Sequence, residues 1–250
     1  MVELKSLRDR DKMRRAGRVV AEVLEIVRQA VRPGIATQDL DALAEREIRR
    51  RSGIPTFKGY QGYPASVCVS INDQVVHGIP GPRIIKPGDL VSIDIGATVD
   101  GFVGDAAVSL FAGSAPNDRA RELLEVTEES LYKGIAAAQP GSRLGDIGAA
   151  VQRHVEAHGF SVVRDFVGHG VGRQMHEEPQ VPNYGTEGRG LLVKSGLAIA
   201  IEPMVNMGEH PVEVGADGWT VTTRDHSLSA HFEHTIFIND EGPEILTAIS

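Results

Sequence analysis

Two β-rich runs joined by Asp100-Gly101, within residues 89–111, constrain the fold of this chain more than any other feature. The stretch reads DLVSIDIGATVDGFVGDAAVSLF, and an Asp-Gly pair between two such runs is typical of a hairpin with a two-residue type I′ turn. Because strand side chains alternate between faces, the register of that turn makes Asp94 and Asp105 diagonal neighbours on one face. Two carboxylates this close favour a bound cation or a shared proton. The alternative interpretation is a pair of aspartates on a solvated face.

The chain also carries an internal repeat. A Pro-Gly pair at residues 33–34, after a helical pattern, recurs at residues 140–141, and several neighbouring positions share this offset of 107 residues. The run that ends in Asp94 is echoed by the run that ends in Glu202, with the spacing changed by one residue. The alternative is that a Pro-Gly pair commonly ends a helix, so that its recurrence is a coincidence. We interpret the repeat as two related helix-helix-strand units that face one site with acidic residues.

Apolar residues at helical spacing predict helices over residues 13–31, about 40–53 and 119–138. Residues 161–167 have the pattern of a strand. Four arginines between residues 46 and 51 lie away from the apolar stripe of the second helix. They are the one candidate surface for docking on a ribosome, but we expect a solvated helix face because glutamates are interspersed among them.

Composition sets ordinary bounds on function. A chain of 250 residues that is 41% hydrophobic can bury a sizeable core. A net charge of −8 argues against a nucleic-acid partner or an anionic membrane surface. A single cysteine, Cys68, excludes an internal disulfide framework, and no stretch has the length of a signal peptide core or a transmembrane helix. We therefore expect a cytoplasmic protein, a monomer by default.

Five residues strain a purely structural account of the chain. Asp94 and Asp105 are joined in the second half by His169 between glycines, by Glu202 at the end of a buried-strand pattern, and by Glu233 inside an apolar strand. A carboxylate in an apolar strand is costly unless it is paired or bound to metal. Four carboxylates and one imidazole suit a two-metal site better than a structural zinc site. Two divalent ions are expected, with Mn²⁺, Fe²⁺, Co²⁺ and Zn²⁺ all compatible with this ligand set.

The sequence resembles the type I methionine aminopeptidases, members of the pita-bread metallopeptidase family, over essentially its whole length. Six motifs in family order carry the resemblance: GYQGYPASVCVSINDQVVHGIP, SIDIGA, GFVGDAA, GHGVGRQMHEEP, AIAIEPM and DGWTVTTRDHSLSAHFEHT. The resemblance implies an α+β fold of pita-bread (creatinase/aminopeptidase) type with pseudo-twofold symmetry. Its curved antiparallel sheet would carry helices on the outer face and a dinuclear metal site on the inner face.

The resemblance also implies a role for each ligand. Asp94 would bind one metal, Asp105 and Glu233 would bridge both, and His169 and Glu202 would bind the second metal. Hydroxide held between the two ions would be the nucleophile. The implied reaction is removal of the N-terminal (initiator) methionine from peptides and nascent proteins, with a small residue preferred in second position.

Further residues acquire implied roles. Glu202 would move the proton during catalysis, while His77 and His176 would bind the peptide link and stabilise the tetrahedral intermediate. His231 and His234, which flank Glu233, are candidates for hydrogen bonds to the metal ligands. The alternative for His77 is a turn histidine in a loop rich in glycine and proline.

A pocket for one flexible apolar side chain is implied as well. Aromatic walls around a thioether would make favourable sulfur–ring contacts. Phe57 and Met175 depart from the family pattern, in which cysteine and phenylalanine are usual, so they would alter the shape of the pocket. The implied lining residues are Tyr60, Tyr63, Cys68 and Trp219, with Phe57 and Met175 adjoining.

Two other functions compete with this interpretation. A Xaa-Pro aminopeptidase or prolidase would share the fold and the ligands, but such enzymes usually carry an additional amino-terminal domain. A non-catalytic adaptor on the same fold would tend to lose ligands, and all five are present here. We expect one catalytic domain made of two related halves, about residues 1–115 and 116–250, without an amino-terminal zinc-finger or other extra domain.

Overall fold

A computed structural model describes residues 2–249 of the chain. This part of the chain folds into four α-helices and a set of antiparallel strands. The helices are α1 (Leu7–Ala30), α2 (Thr37–Arg50), α3 (Asp118–Ala137) and α4 (Leu144–Ala157). The strands are β1 (Ile54–Pro55), β2 (Val67–Ile71), β3 (Gln74–Val76), β4 (Leu90–Val99), β5 (Phe102–Phe111), β6 (Ser161–Val162), β7 (Gly168–Gly170), β8 (Glu177–Val181), β9 (Ala198–Ile201), β10 (Met204–Asn206), β11 (Val212–Val214), β12 (Val221–Thr223), β13 (Ser229–His231), β14 (Glu233–Asn239) and β15 (Gly242–Ile245).

The predicted hairpin is confirmed as β4 and β5, which pair along their whole length. Asp100 and Gly101 have φ angles of 51° and 75°, the two positive values that a type I′ turn requires. Gly96 pairs with Asp105, so Asp94 and Asp105 share a face as predicted.

The main sheet has nine strands and curls around the site. Its order is β1-β4-β5-β14-β9-β7-β8, with β2 also paired to β4 and β15 also paired to β14. All of these pairs are antiparallel. The order places β4, β5, β14, β9 and β7 side by side, and the five predicted ligands lie on these strands or directly after one of them.

Each helix pair covers part of the outer face with its own core. One apolar cluster joins α1 and α2 to β2, β4 and β5, and a second joins α3 and α4 to β8, β9 and β14. Helix α1 begins at Leu7, six residues before the predicted start. The prediction relied on apolar spacing, and the first turns of the helix are polar, so they gave no apolar signal. The helix starts at Leu7 because Ser6 and Asp9 form a capping box there. The strand predicted over residues 161–167 is wrong beyond Val162, where pairing to β10 ends.

The repeat seen in the sequence is visible in the fold. Helices α2 and α4 both contain 14 residues, and each position of α4 lies 107 residues after its counterpart in α2. An isolated bridge holds each helix entrance, from Ala36 to Ile84 and from Arg143 to Leu192. These matched elements agree with the predicted pseudo-twofold α+β architecture. Within residues 2–249, none of the helices combines the length and the apolarity needed to cross a bilayer.

Candidate metal centre and substrate cavity

The five predicted ligands come from neighbouring strands of the main sheet. Asp94 lies on β4, Asp105 on β5, His169 on β7 and Glu233 on β14, while Glu202 directly follows β9. One ligand atom from each of Asp105, His169 and Glu233 lies within 4.8 Å of the other two. The Nε2 atom of His169 is 3.5 Å from Glu202 Oε1 and 3.7 Å from Asp105 Oδ2. The sheet therefore gathers residues that lie more than a hundred positions apart.

The glycines beside His169 allow three strands to approach closely. A Cβ atom on Gly168 would lie 2.4 Å from the carbonyl oxygen of Ala200, and one on Gly170 would lie 2.2 Å from that of Glu178. Both glycines are therefore required by backbone packing. The Nδ1 atom of His169 lies 2.9 Å from the carbonyl oxygen of Gly170 and donates to it. The bare Nε2 atom then faces the carboxylates, as a metal-ligating imidazole requires.

Burial and mutual repulsion dominate the electrostatics of the carboxylates. Burial raises the pKa of Asp94 to about 7. The pKa values of Asp105, Glu202 and Glu233 lie well above their usual range, first because of burial and then because of neighbouring carboxylates. Burial also lowers the pKa of His169 to about 4, so this imidazole is neutral. A cluster of this kind is unfavourable in the absence of positive charge.

The donor set fits divalent cations. Asp94 Oδ1, Asp105 Oδ1 and Glu233 Oε1 are buried and have no hydrogen-bond partner within residues 2–249. Buried carboxylate oxygens are normally hydrogen-bonded or bound to a cation. These orphaned oxygens, together with the bare Nε2 of His169, match the oxygen and imidazole ligands that Mn²⁺, Fe²⁺, Co²⁺ and Zn²⁺ accept.

A hydroxyl group from β14 fixes the backbone that carries Asp105. The backbone N–H of Asp105 donates to Thr235 Oγ1 at 3.0 Å, and that hydroxyl donates to the carbonyl oxygen of Asp105 at 2.8 Å. Thr235 is 1% exposed, so both bonds are sheltered from water. The pair stabilises the register between β5 and β14 beside the cluster.

A cavity of about 160 Å³ opens directly onto the carboxylates. All thirteen residues predicted for the site line it, so the structure brings the whole set together. Gln61, which the sequence analysis missed, lines it as well. Gln61 lies in the loop between Gly59 and Gly62 and has a φ of 48°. The sequence pattern gives no sign of this unusual backbone conformation. The lining residues are Phe57, Tyr60, Gln61, Tyr63, Cys68, His77, Asp94, Asp105, His169, Met175, His176, Glu202, Trp219 and Glu233.

His77 adopts a strained backbone at the edge of the cavity. Its φ of 60° lies in the left-handed region, which costs about 1–3 kcal/mol for a residue with a side chain, and strain of this kind is enriched at functional sites. Its ring packs edge-to-face against Phe166 and Trp219. Burial lowers the pKa of His77 to about 4, with a smaller contribution from His176. A neutral imidazole that can donate one hydrogen bond is therefore aimed at the cavity.

His176 lies at the rim and is held by Tyr60. The phenol oxygen of Tyr60 is 2.7 Å from His176 Nδ1, and the two rings lie 5.3 Å apart. The His176 ring also packs edge-to-face on His169 at 4.3 Å. When the phenol donates to Nδ1, the proton of the neutral imidazole resides on Nε2.

Aromatic and sulfur-containing side chains form the apolar wall. Tyr63 packs edge-to-face on Trp219 at 5.1 Å, and its hydroxyl lies 3.1 Å from the carbonyl oxygen of Val67. The ring of Phe57 fits against Gly96, where a Cβ atom would lie 2.5 Å from the ring. The absence of a side chain at Gly96 therefore makes room for the larger residue at position 57.

The two histidines that flank Glu233 in the sequence have different surroundings. His231 is 2% exposed, and its Nε2 lies 4.0 Å from Glu202 Oε2, beside the ligands as expected, with no hydrogen-bond partner among residues 2–249. His234 is not beside the ligands. Because side chains alternate along β14, its Nδ1 contacts Thr247 Oγ1 at 2.9 Å on the opposite face from Glu233.

The arginines of α2 form ion pairs on the helix surface. Arg49 pairs with Glu45 at 2.8 Å, while Arg50 and Arg51 both pair with Glu47. The arginines and the interspersed glutamates pair with one another as expected, but Glu47 is buried and is not part of the solvated face. Positive charge available for docking is correspondingly small.

Comparison with known proteins identifies the family. The sequence model of metallopeptidase family M24 matches residues 11–240. The chain therefore belongs to metallopeptidase family M24. The curved antiparallel sheet with four helices is the pita-bread fold of this family.

Two methionine aminopeptidases match this chain along its full length, and a prolidase matches it at the level of the fold. The chain is 51% identical over 249 residues to the methionine aminopeptidase of Clostridium perfringens, with 100% of both chains covered. It matches the crystal structure of methionine aminopeptidase from Thermotoga maritima with a TM-score of 0.98 and 47% identity, again over 100% of both chains. A prolidase from Pyrococcus furiosus matches with a TM-score of 0.78 and 20% identity over 99% of this chain and 66% of that chain, a likeness that shows the fold alone.

Proposed function

We propose that this M24 chain is a methionine aminopeptidase that removes the N-terminal methionine from peptides and nascent proteins whose second residue is small. The observation that carries the proposal is a buried cluster of four carboxylates and one imidazole beside a cavity walled by aromatic and sulfur-containing side chains. Full-length identity of 51% to a methionine aminopeptidase supports the same activity.

The carboxylate cluster would hold two divalent ions. By the family resemblance, Asp94 would bind the first ion, His169 and Glu202 the second, and Asp105 and Glu233 both. When bound, such ions lower the pKa of water and polarise a carbonyl group. Mn²⁺, Fe²⁺, Co²⁺ and Zn²⁺ are the candidates.

The chain's own side chains would handle the proton and the developing charge. Glu202 lies at the mouth of the cluster, 14% exposed, where its carboxylate can accept a proton from water and pass it to the leaving amine. His77 and His176, neutral and aimed into the cavity, would donate hydrogen bonds to the peptide link. Donors fixed in advance stabilise the tetrahedral intermediate more than the substrate, which is the requirement for catalysis.

The apolar wall would select the first side chain of the substrate. Tyr63 and Trp219 meet edge-to-face, Cys68 and Met175 add sulfur, and Phe57 narrows the space. A methionine side chain is flexible and polarisable, so it can fill an irregular pocket and contact aromatic rings. Trp219→Ala is expected to change the choice of substrate more than the reaction itself.

The competing functions have less support. A proline-directed exopeptidase matches only at the level of the fold, at 20% identity. A non-catalytic adaptor would not need orphaned carboxylate oxygens beside an open cavity. A cytoplasmic location, a monomeric state and transient association with the ribosome stay predictions.

Release of methionine from Met-Ala-Ser tests the proposal. Protein stripped of metal with a chelator receives Mn²⁺, Fe²⁺, Co²⁺ or Zn²⁺, with Leu-Ala-Ser and Ala-Pro-Ala assayed in parallel. Metal-dependent cleavage of the methionine peptide alone is expected. Cleavage of Ala-Pro-Ala alone would assign the chain to the proline-directed enzymes, and no cleavage by folded, metal-binding protein would favour the adaptor.

Variants separate the metal site from the general effect of losing a carboxylate. Glu233→Ala removes a ligand at the centre of the cluster and is expected to abolish turnover. Glu241→Ala removes an exposed carboxylate from the turn after β14 and serves as the matched control. Normal turnover by the Glu233 variant would refute the ligand assignment.

A further inference from the structure

Lys5 is a buried lysine that the reaction described above does not use. Its side chain is only 2% exposed, although lysine is almost never buried without a partner. Its Nζ atom lies 2.7 Å from Glu177 Oε2 and 3.2 Å from an oxygen of Glu3. The segment that carries it is anchored to the body of the protein, because the backbone N–H of Lys5 donates to the carbonyl oxygen of Gly196 at 2.7 Å.

Glu177 uses both carboxylate oxygens to organise the loop before it. Oε2 accepts from Lys5, and Oε1 accepts the backbone N–H groups of Arg173 and Gln174 at 2.8 and 3.1 Å. These three contacts of the Glu177 carboxylate, here called the bracket, close the stretch 172–177, which contains the cavity residues Met175 and His176. The geometry of that stretch therefore depends on where the Glu177 carboxylate is held.

Gly172 leaves the space in which the two charged groups meet. A Cβ atom at this position would lie 2.5 Å from Lys5 Cε and 2.7 Å from Glu177 Oε1. The carbonyl oxygen of Gly172 accepts the backbone N–H of Val103 at 2.8 Å, which ties the start of the loop to β5. The loop is thus fixed at its start by the sheet and at its end by the buried ion pair.

We propose that Lys5 is a positioning residue for the reaction: through Glu177 it holds the loop 172–177 so that His176 meets the peptide link. The inference rests on the proposed aminopeptidase function and assigns part of its machinery to the segment before α1. A buried ion pair is weak as a source of stability, because apolar replacement of both partners is often neutral. Its value here lies in fixing the direction of a carboxylate that holds two backbone amides.

Two variants break the pair without creating a cavity. Lys5→Met keeps an unbranched side chain that is one atom shorter and removes the charge, while Glu177→Gln keeps an oxygen for the backbone amides and removes the ion pair. With Met-Ala-Ser, kcat is expected to fall about tenfold in each, the loss that a barrier higher by about 1.4 kcal/mol produces. KM and the affinity for Mn²⁺ are expected to stay within about twofold of wild type, because the metal ligands lie outside the loop 172–177, on strands of the main sheet or, for Glu202, directly after one.

Further variants separate positioning from general stability. Gly172→Ala displaces both charged groups without changing any charge, so it is expected to lower kcat in the same direction. Lys5→Arg keeps the charge and is expected to restore part of kcat. Arg14→Met is the matched control: it removes another long-range ion pair of the amino-terminal region, 2.6 Å from Glu244, and is expected to leave kcat unchanged.

A second readout does not depend on turnover. In metal-free protein, hydrogen exchange at the amides of Arg173 and Gln174 is expected to be at least about tenfold faster in Lys5→Met than in wild type, because the bracket opens locally. If kcat and this exchange both match wild type while only the melting temperature falls, Lys5 is purely structural and the proposal is wrong. Failure of wild-type protein to release methionine would refute the proposed function instead, and the exchange rates would then decide only whether Lys5 holds the loop 172–177.

Discussion

At the scale of single residues, the contact between Tyr60 and His176 decides which nitrogen of the imidazole donates. When the phenol, 2.7 Å from Nδ1, donates to that nitrogen, the imidazole proton resides on Nε2, where it can be donated to a peptide carbonyl. Tyr60→Phe keeps the ring in the pocket but removes the hydroxyl. We expect kcat for Met-Ala-Ser to fall about tenfold with little change in KM, since the lost interaction acts mainly in the transition state.

Nitrogen-detected NMR of the metal-free variant checks the cause. The His176 ring is expected to populate both neutral tautomers in Tyr60→Phe and mainly the Nε2-protonated form in wild type. Tyr132→Phe, at a tyrosine that is 46% exposed, is the matched control and is expected to change neither quantity. An unchanged tautomer together with unchanged kcat would rule out this role for Tyr60.

Replacing a carboxylate of the cluster is expected to have opposite effects on turnover and on the stability of the metal-free protein. Glu233 is 2% exposed, and its pKa is raised well above 4.5 by burial and then by Glu202 and Asp94. Glu233→Gln keeps the shape of the side chain and replaces a group that can ionise with one that stays neutral at every pH. In metal-free protein we expect the melting temperature to rise by about 2–4 °C, the shift that about 1 kcal/mol gives at this size, while turnover is lost.

The pH dependence of this gain identifies its origin. As pH rises above 4.5, the unfolded chain releases the Glu233 proton while the folded, metal-free protein retains it, so wild-type stability falls. The glutamine variant lacks the Glu233 contribution, while Asp94, Asp105 and Glu202 contribute a dependence of the same sign to both proteins. The difference in melting temperature is therefore expected to be small at pH 4.5 and to grow toward pH 7. A difference that is constant with pH, or equal to that of the exposed control Glu241→Gln, would contradict the electrostatic explanation.

At the scale of secondary-structure elements, helix α1 approaches β5 through glycine. A Cβ atom on Gly104 would lie 2.7 Å from the backbone nitrogen of Gly17 and 2.8 Å from its Cα. Because these are backbone atoms, no side-chain rotation can relieve the clash. Gly104→Ala is expected to lower the free energy of unfolding by about 1–3 kcal/mol through overpacking. Denaturant titration measures this loss. Gly81→Ala is expected to stay near wild type, because a Cβ atom added at Gly81 would meet no atom of residues 2–249 within 4 Å beyond its chain neighbours.

Elements defined by local pattern could be predicted from the sequence, and contacts between distant segments could not. The type I′ turn at Asp100-Gly101 and the shared face of Asp94 and Asp105 follow from alternation and turn chemistry, which act over a few residues. The bond between Tyr60 and His176 spans 116 positions, and the Lys5–Glu177 pair spans 172. No periodicity connects such residues, so only the folded chain reveals them. The family resemblance placed Tyr60 and His176 in one site but did not imply their direct contact.

At the scale of the whole molecule, we propose one cooperative domain built from two related halves, about residues 1–115 and 116–250. In the main sheet, β5 and β14 join the halves through only two paired positions, Glu233 with Ala107 and His234 with Ala106. An apolar cluster also spans the junction between the halves, and it involves more residues than the two paired positions of the sheet. Its buried members are Met13, Phe57, Tyr63, Ala65, Cys68, Phe102 and Val103 from the first half, and Val171, Met175, Ala198, Phe237 and Leu246 from the second.

Calorimetry tests whether that shared cluster makes the halves unfold together. Metal-free protein is expected to show one transition with equal calorimetric and van't Hoff enthalpies, because separating the halves would expose the apolar cluster that they bury together. Saturating Mn²⁺ is expected to raise this single melting temperature, since Asp94 and Asp105 come from one half and His169 and Glu233 from the other. Two separate transitions, with only one of them shifted by metal, would instead mean that the halves are independent domains and that the ligand set does not span them.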